Sequence, residues 1–525
     1  METRPYGSNW WGVALGLVAT GAGLAAAEVV VGLVQGSASP VVPVGQVFID
    51  HVPKSVKDWA IEQFGTNDKV VLITGAMIVV LALGALVGIM AIRGSRAGAY
   101  ALTSVIGIIG GFAVLTRPAP TLGKLLPTIV GTLVSIAVLW YLGPKPVRAT
   151  APGAVDGESN VEPHGERELV GLDRRTFMVG LAGIGSAAMI AAGFGRLLQR
   201  RFDVGSERAA IALPSAESSE ALATDTELGV DGISSFVTPN ADFYRIDTAL
   251  VVPQVSKDSW TLKIDGLVDN PMELTFDDLL ARPQIERYIT LSCVSNEVGG
   301  DLVGNARWQG VLLKDLLDEA GLQPSAAQIA SRSADGWTCG TPLDVVMDGR
   351  DAMLAVAMNG EPLPAEHGYP VRMVVPGLYG YVSATKWVTD LRLTTWEEVD
   401  GYWIPRGWSK LAPVKTMARI DTPRTGSDRS GEVAIGGVAW AVHRGIGRVQ
   451  IRVDDGEWLD AELGGVPSND TWAQWVYRWT GEPGSHVVEA RAIDKAGEIQ
   501  PEEPAAPAPN GAQGYHRINL DIISP

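Results

Sequence analysis

The sequence predicts a multi-domain protein with an α-helical membrane bundle of about five spans, a domain of mixed helices and strands, and a C-terminal domain of strands. Apolar runs long enough to span a membrane occur only in the first 200 of the 525 residues. The formal charge follows the same division, at +4 for residues 1–201 and −21 for residues 202–525. Short strand-like runs begin only after about Val237. A single soluble globule is therefore excluded, and the total charge of −17 argues against a nucleic-acid binder.

Five apolar stretches are long enough to cross the hydrocarbon core of a membrane, which takes about 20 residues. They are Trp11–Val34, Val70–Ile92, Ala97–Thr116, Leu125–Gly143 and Thr176–Gly195. Glu28 is the one charged residue within them, and none contains a histidine, which excludes a haem held by two intramembrane histidines. Their Gly and Ala content suits close packing of helices in lipid. We expect these helices to form an anchor or a docking platform.

Composition divides the rest of the chain. We expect a four-helix transmembrane region at 1–143, a cytoplasmic linker at 144–172, the fifth span at 173–201, an extended tether at 202–235, a mixed domain at 236–409 and an all-strand domain at 410–525. The linker is rich in Pro, Gly and Glu, and the tether in Ala, Ser and Glu. These boundaries separate two membrane segments from two soluble domains.

The orientation in the membrane is not decided by charge, because eight basic residues fall on each side of the five spans. The run Asp173-Arg174-Arg175-Thr176-Phe177-Met178 resembles a twin-arginine export signal, although such signals are normally N-terminal. An ordinary pair of stop-transfer arginines is the alternative. The export interpretation predicts a multi-pass protein of the cell membrane whose C-terminal half is extracytoplasmic. Whether the fifth span is later cleaved stays open.

The last 115 or so residues have the spacing of an all-strand domain. The runs are Val433–Val442, Arg448–Val453, Trp458–Leu463, Trp475–Trp479, Val487–Ala492 and Tyr515–Ile522. Asp454-Asp455-Gly456 is typical of a hairpin turn between two of them. The spacing predicts a β-sandwich of the immunoglobulin type, although the cysteine pair of true immunoglobulin domains is missing.

The mixed domain contains one cysteine and three cationic residues among turn-forming Gly and Pro residues. Cys293 opens a loop after a predicted strand, Arg287–Leu291, and His367, Arg372 and Lys386 follow downstream. A thiolate beside cations suits an anionic cofactor with a metal bound through sulfur, whereas zinc takes three or four protein ligands. With only two cysteines and no haem-attachment motif, the chain is predicted to hold no iron–sulfur, zinc or haem site.

These segments resemble the molybdopterin-binding domain of the sulfite oxidase family over about Ser235–Trp408. The segments are Ser292–Asn296, Asn305–Val311, Met358–Arg372 and Val375–Trp387. In the tail, Gly437–Trp440, Val453–Trp458, Arg491–Gly497 and Pro509–Tyr515 resemble the same family's Mo-cofactor dimerisation domain. The resemblance implies an α+β molybdopterin domain, one molybdenum–molybdopterin cofactor per chain and an oxidoreductase.

The resemblance also implies roles for individual residues. Cys293 would be the thiolate ligand of molybdenum, while Cys339 is interpreted as structural. His367 and Arg372 would bind the pterin and its phosphate, over which Lys386 would close, with the register there uncertain by one residue. The implied cofactor-binding residues are Asn240, Phe243, Tyr244, Arg245, Asp247, Thr248, Asp335, His367, Arg372, Ala384, Thr385 and Lys386. The family's Arg-Asn-His run is replaced here by Arg245-Ile246-Asp247-Thr248.

The substrate side departs from the family. The arginines that follow the cysteine in animal and plant sulfite oxidases are replaced by Asn296-Glu297-Val298. Arg307 and Arg406 are therefore the candidate substrate cations, and Tyr402 is the candidate active-site tyrosine. Ordinary packing at a domain junction is the alternative for Tyr402 and Arg406.

Together these observations predict a membrane-anchored molybdenum-cofactor oxidoreductase that transfers an oxygen atom to or from a small sulfur-containing substrate, as sulfite oxidase does. No haem segment is fused, so we expect a separate electron partner, a cytochrome or the quinone pool, and a homodimer formed through the C-terminal domain. One alternative is a reductase of sulfoxide-type groups. The alternative from another class is a non-catalytic, membrane-tethered binding or adhesion protein.

Overall fold

A computed structural model of the chain describes residues 9–53, 56, 59–60, 63–64, 67–117, 121–147, 168–170, 172–429 and 431–523. The chain divides into two compact units. The first comprises Met1–Asp203 with Ala249–Gln254, and the second comprises Val204–Thr248 with Val255–Pro525.

The first unit is mainly helical. Its helices are α1 (Asn9–Val31), α2 (Val41–His51), α3 (Asp68–Ile92), α4 (Arg96–Leu115), α5 (Leu122–Leu142) and α6 (Arg174–Gln199). Among the described residues, five helices are long and apolar enough to cross a membrane, and they coincide with the five predicted spans. Helix α2 was not predicted, and its 11 residues are too short for a span. Most of the predicted linker lies outside the described residues, and β1 (Lys145–Val147) pairs with β2 (Glu168–Val170) at its two ends.

Helix α1 packs against α3, α5 and α6. A Cβ atom added at Gly16 would lie 1.9 Å from the carbonyl oxygen of Gly84 on α3, and one added at Gly23 would lie 2.4 Å from that of Gly131 on α5. No side chain fits at either position, because backbone meets backbone there. The glycines of the apolar runs therefore permit the close helix packing that membrane helices use.

The first part of the second unit contains two mixed sheets. The strands are β3 (Ser218–Ser219), β4 (Thr261–Gly266), β5 (Met272–Thr275), β6 (Ile285–Ser292), β7 (Val303–Leu312), β8 (Gln328–Ser333), β9 (Thr338–Pro342), β10 (Met353–Met358), β11 (Glu361–Pro362), β12 (Arg372–Val374) and β13 (Val388–Thr394). One sheet has the order β11-β10-β7-β6-β3, with β12 also paired to β10, and the other has the order β5-β4-β13-β8-β9. The short helices are α7 (Gly205–Ala209), α8 (Phe276–Leu280), α9 (Leu313–Ala320) and α10 (Leu343–Met347). This part of the chain is an α+β domain.

Local patterns account for several of these elements. Strand β4 alternates between exposed and buried residues, so that Leu262 and Ile264 face the core. Helix α8 begins at a capping box, in which the Thr275 hydroxyl accepts from the Asp278 amide and the Asp278 carboxylate accepts from the Thr275 amide. Every residue of β10 is buried, as suits a strand flanked on both sides.

The last part of the second unit is a β-sandwich. Its strands are β14 (Met417–Thr422), β15 (Ser427–Arg429), β16 (Glu432–Trp440), β17 (Ile446–Val453), β18 (Leu459–Asp460), β19 (Glu462–Leu463), β20 (Ala473–Thr480), β21 (Gly484–Asp494) and β22 (His516–Ile522). They form the sheets β14-β16-β20-β19 and β15-β22-β21-β17-β18, which share one apolar core. Asp454 and Asp455 have φ of 51° and 60°, as the predicted β17–β18 hairpin turn requires. The predicted strand Trp458–Leu463 is divided between the two sheets, and its immunoglobulin type stays a prediction.

The segment 202–235 was predicted to be an extended tether. It has little regular structure, but from Val204 onward it belongs to the second unit. Val204 is 3% exposed, the Glu220 carboxylate accepts from the Tyr288 amide at 2.9 Å, and the Leu228 amide donates to the Gln474 side chain at 2.8 Å. These contacts attach it along both parts of the unit, so it is not a free linker.

Candidate active site

A cavity of about 140 Å³ lies within the second unit, lined by side chains from residues 243–248, 293–295 and 333–408. Ten of the residues predicted to form the site line it. They are Phe243, Tyr244, Asp247, Thr248, Cys293, Asp335, His367, Arg372, Ala384 and Lys386. The fold thus brings together residues that are up to about 140 positions apart in the sequence.

Cys293 follows directly after β6, at the start of a tight loop. Its amide donates to the Leu302 carbonyl at 2.9 Å, and its carbonyl accepts from the Asn296 amide at 3.1 Å. The Asn296 side chain in turn accepts from the Leu302 amide at 2.8 Å, which closes the loop. Burial raises the pKa of the Cys293 thiol, with hydrogen bonds from Ser295 opposing the shift. The thiol is therefore protonated at neutral pH and would lose its proton on binding a metal.

Arg372, on β12, is a buried cation without a carboxylate partner among the described residues. Its side chain donates to the His367 carbonyl at 3.1 Å and lies over the Trp308 ring, 4.8 Å from the ring centroid. Its Nε atom is buried and has no hydrogen-bond acceptor. Burial lowers the pKa of Arg372 to about 10. Such a charge is costly to bury, and an anion in the cavity would offset that cost.

Lys386 also lines the cavity, but it has an ion-pair partner. Its Nζ atom lies 2.6 Å from the Asp247 carboxylate and donates to the Glu366 carbonyl at 3.0 Å. The Arg245 guanidinium lies 3.0 Å from the same carboxylate. Burial lowers the pKa of Lys386 to about 8, and the negative charge of Asp247 opposes this shift. Asp247 therefore acts as the counter-ion of two cations, and Arg245 itself does not line the cavity.

His367 is held as a neutral imidazole. Its ring Nε2 lies 2.9 Å from the Asn240 carbonyl, to which it donates in that tautomer, and its ring meets Phe243 edge-to-face at 5.6 Å. Burial, and secondarily the charge of Arg372, lower the pKa of His367 to about 4. Asn240 does not line the cavity, because its side-chain amide donates to Glu361 at 2.6 Å. Asn240 thus orients the His367 ring through its backbone carbonyl, without lining the cavity itself.

One glycine allows the two cationic segments to meet. A Cβ atom added at Gly368 would lie 3.0 Å from the Cβ of Arg372 and 3.2 Å from the Cα of Lys386, and its φ of +113° also disfavours other residues. Trp387, next to Lys386, has φ of 50° and donates from its indole to the Ala365 carbonyl at 2.7 Å. Thr385 points away from the cavity, and its hydroxyl lies 2.7 Å from that of Ser331. The backbone therefore sets the spacing of the cations.

The three candidate substrate residues do not line the cavity. The Arg406 guanidinium lies over the Tyr402 ring, 3.7 Å from its centroid, and donates to the Tyr402 carbonyl at 2.5 Å. Arg307, on β7, lies 3.5 Å from the Glu286 carboxylate. These contacts correspond to the packing alternative considered for Tyr402 and Arg406.

Several cavity residues were missed by sequence reasoning. Five of them are aromatic, namely Trp337, Tyr381, Trp387, Trp403 and Trp408, and the other five are Ile246, Val294, Ser295, Ser333 and Gly380. Trp408 packs against both Tyr381 and Trp403, with ring centroids 5.8 and 6.4 Å apart. The aromatic density of Gly401–Trp408 was the signal that could have identified Trp403 and Trp408.

The residues present fit a molybdopterin cofactor. The unpaired charge of Arg372 and the cation of Lys386 suit its phosphate, and Cys293 supplies a thiolate for its metal. Among the described residues, no group of three or more His, Cys, Asp or Glu side chains is placed to hold a metal ion. A metal in this cavity would therefore take most of its ligands from the cofactor. Cys339, on β9 and 1% exposed, is a free cysteine outside the cavity.

Comparisons with known proteins agree with this geometry. The family model described as "Oxidoreductase molybdopterin binding domain" matches residues 249–403. The chain is 39% identical over 149 residues to "Uncharacterized oxidoreductase YuiH" of Bacillus subtilis (strain 168), covering 28% of this chain and 72% of that protein. It is 31% identical over 349 residues to the mitochondrial sulfite oxidase of Rattus norvegicus, covering 55% of this chain and 62% of that protein.

Among solved structures, the sulfane dehydrogenase SoxCD of Paracoccus pantotrophus aligns with 54% of this chain and 81% of its own, at 26% identity and a TM-score of 0.47. The chain spans about three fifths of the length of the mammalian sulfite oxidases that it matches. The alternative of a non-catalytic binding protein does not agree with these relatives. Since the match to YuiH covers most of that oxidoreductase, the chain belongs to the sulfite oxidase-like family of molybdopterin-dependent oxidoreductases.

Proposed function

We propose that this protein is a membrane-anchored molybdenum-cofactor enzyme that transfers an oxygen atom to or from a small sulfur-containing substrate. The observation that carries the proposal is the cavity in which the Cys293 thiol, the neutral His367 and the unpaired Arg372 meet. The similarity to sulfite oxidases supports the choice of a sulfur substrate.

Each side chain of the cavity has a distinct task in this proposal. When bound, the molybdenum centre supplies oxygen-atom transfer with a two-electron change at the metal. Cys293 anchors the metal, and Arg372 and Lys386 bind the cofactor's phosphate. The aromatic side chains Trp403 and Trp408 enclose the remaining space and exclude water from it.

Sulfite is the first substrate to test. Its oxidation to sulfate takes an oxygen atom from water and releases two protons and two electrons, which go to a separate cytochrome or to the quinone pool. The cavity also favours a second candidate. Among the described residues, Arg372 and Lys386 are the only Arg or Lys side chains that line it, and both are assigned to the phosphate, so the part of the lining left for a substrate is rich in aromatic side chains. A neutral sulfoxide fits such a lining, and its reduction to a sulfide with release of water would take two protons and two electrons, supplied by the separate cytochrome or by a quinol.

Membrane attachment and orientation are part of the proposal. Five helices long and apolar enough to cross a membrane support an anchor. Arg174 and Arg175 begin α6, immediately before the cofactor-binding unit in the chain, which supports export of that unit to the extracytoplasmic side. Accessibility of the second unit to an external protease tests this orientation. Loss of external exposure is expected for R174K/R175K, and unchanged exposure would contradict export by the arginine pair.

The C-terminal sandwich is proposed to be immunoglobulin-like and to form a homodimer. The four sequence segments that resemble a Mo-cofactor dimerisation domain support this role. Sedimentation of the purified full chain in detergent tests it, with a dimer expected and a monomer at micromolar concentration contradicting it. The linker at 144–172 is proposed to be cytoplasmic.

The two cysteines offer a matched test of the enzyme proposal. Molybdenum per chain and turnover of sulfite and of dimethyl sulfoxide are measured for the full-length protein, Cys293→Ser and Cys339→Ser. We expect about one molybdenum in the wild type, with turnover and thiolate-to-metal absorption lost only in Cys293→Ser. Wild-type protein without molybdenum would overturn the proposal. Turnover of the sulfoxide alone would select the second candidate.

A further inference from the structure

The helical unit contains a cavity of about 610 Å³ that is separate from the candidate active site. Residues of α1, α2, α3, α4 and α5 line it. The lining is aliphatic apart from Phe48 and a few hydroxyl groups, and among the described residues it includes no Asp, Glu, Lys, Arg or His side chain. A charged ligand head would be unpaired inside such a lining, so the cavity suits a neutral, mainly apolar ligand.

The cavity opens on the outer surface of the helical unit. Phe48 on α2, Val79 on α3 and Ile109 on α4 line it and are 54%, 58% and 55% exposed. For helices that lie in a membrane, this surface faces the hydrocarbon of the lipid. A lipid-soluble ligand could therefore enter from the side.

Among the described residues that line the cavity, one has a fully buried hydroxyl oxygen without a hydrogen-bond partner. Thr128, on α5, is 6% exposed, and its Oγ1 atom is buried without a hydrogen bond. A buried polar group left unsatisfied costs about 1–3 kcal/mol. An acyl chain offers no atom that would satisfy it, whereas a ligand with an oxygen at its inserted end would.

Two further hydroxyls in the lining already donate hydrogen bonds to backbone carbonyls. Thr132 donates to the Thr128 carbonyl at 2.8 Å, and Thr103 donates to the Ala99 carbonyl at 2.9 Å. Toward a ligand their oxygens therefore act as acceptors, while the Thr128 hydroxyl is free to donate. A carbonyl suits Thr128, and a hydroxyl suits Thr132 or Thr103. The lining can thus satisfy both the oxidised and the reduced form of a quinone head.

We propose that this cavity is a binding site for a quinone that carries an isoprenoid tail. The ring enters first, with a carbonyl oxygen on the Thr128 hydroxyl, and the tail leaves through the opening between exposed apolar side chains. The choice of a quinone among neutral lipids rests on the proposed function, which needs an acceptor for two electrons. The hydrogen-bonding and the absence of charge in the lining are independent of that function.

Two glycines provide a matched pair of variants. A Cβ atom added at Gly75, which lines the cavity on α3, meets no atom within 4 Å, and the same is true at Gly21, which does not line it. Gly75→Phe therefore adds a large side chain at the lining of the cavity, while Gly21→Phe adds the same side chain elsewhere.

The full-length protein in phosphatidylcholine nanodiscs is labelled with an azido-benzoquinone, and decylubiquinone competes with the label. The half-competition concentration is expected to rise at least tenfold in Gly75→Phe and to stay within twofold in Gly21→Phe. Labelling that does not saturate, or that is equal in the two variants, would show that lipid fills the space and would overturn the proposal.

The head-group contact has its own test. Thr128→Val keeps the shape of the side chain and removes the donor, so decylubiquinone is expected to bind about fivefold more weakly. Thr116→Val, whose hydroxyl donates to the Ala113 carbonyl outside the cavity, is the control. Equal affinity in both would contradict the assignment of Thr128.

Molybdenum content and turnover with a soluble dye as acceptor are measured on the same samples. Intact dye-linked turnover without saturable quinone labelling refutes this site alone. Absent molybdenum with saturable labelling refutes the proposed enzyme function and supports the quinone site.

Discussion

Replacing Arg372 by Gln tests whether the buried cation of the candidate site exists to bind the cofactor's phosphate. The side-chain amide of Gln can still donate a hydrogen bond toward the His367 carbonyl, but it carries no charge. The fall of the Arg372 pKa from 12.5 to about 10 corresponds to about 3 kcal/mol of unfavourable charge burial without a ligand. A dianionic phosphate would offset this cost, so the variant should lose about 3 kcal/mol of cofactor binding, roughly a hundredfold in affinity.

The assay compares cofactor retention with stability. Molybdenum and phosphorus per chain are measured after dialysis, and denaturant midpoints are measured for protein made with and without molybdate. Arg350→Gln is the matched control, because the Arg350 side chain is 9% exposed and has its own carboxylate partner, Asp348, at 2.6 Å. We expect Arg372→Gln to lose the cofactor without loss of apo stability. Arg350→Gln should lower stability in both forms and keep the cofactor.

The reasoning is refuted if Arg372→Gln retains molybdenum and phosphorus at the wild-type level through dialysis. Equal stabilisation by the cofactor in wild type and variant would have the same meaning. Either result would place the phosphate elsewhere and leave the unpaired charge of Arg372 without an explanation.

Three further outcomes are expected. Because the pKa of His367 is about 4, His367→Gln should leave the shape of the pH–rate profile unchanged between pH 5 and 8. Burial lowers the pKa of Lys386 to about 8, so between about pH 8 and 10.4 the unfolded chain binds more protons than the folded one. The free energy of unfolding of the apo protein, obtained from denaturant titrations, should therefore rise over this range by up to about 3 kcal/mol, and Lys386→Met should abolish the rise. Arg307 pairs with Glu286 outside the cavity, so Arg307→Gln should change KM for sulfite by less than twofold.

Local patterns in the sequence predicted much of the secondary structure. Uninterrupted apolar runs of about 20 residues predicted the five long helices, since length and hydropathy alone define such elements. The Asp454-Asp455-Gly456 turn predicted its hairpin because few residues adopt positive φ. The division of Trp458–Leu463 between two sheets was not predictable, because sheet assignment depends on distant partner strands.

For the candidate site, the sequence predicted residue types better than side-chain directions. The Gly-rich segments around Cys293, Arg372 and Lys386 marked a site because they form the turns that bring these residues together. Arg406 was a reasonable candidate by position, yet its guanidinium lies on the adjacent Tyr402 ring. Trp337 was missed because it lies in the connection between the paired strands β8 and β9. Sequence spacing does not show that this connection lines the cavity.

The central position of α1 has a consequence for the biosynthesis of the chain. This helix precedes its partners α3, α5 and α6 in the chain and is therefore made before them, and the last of them ends at Gln199. Until then, the glycine faces through which α1 meets these helices have no backbone to contact. The contacts of α1 with these three helices are therefore completed only after α6 has been made, and synthesis of the cofactor-binding unit begins directly afterwards, at Val204.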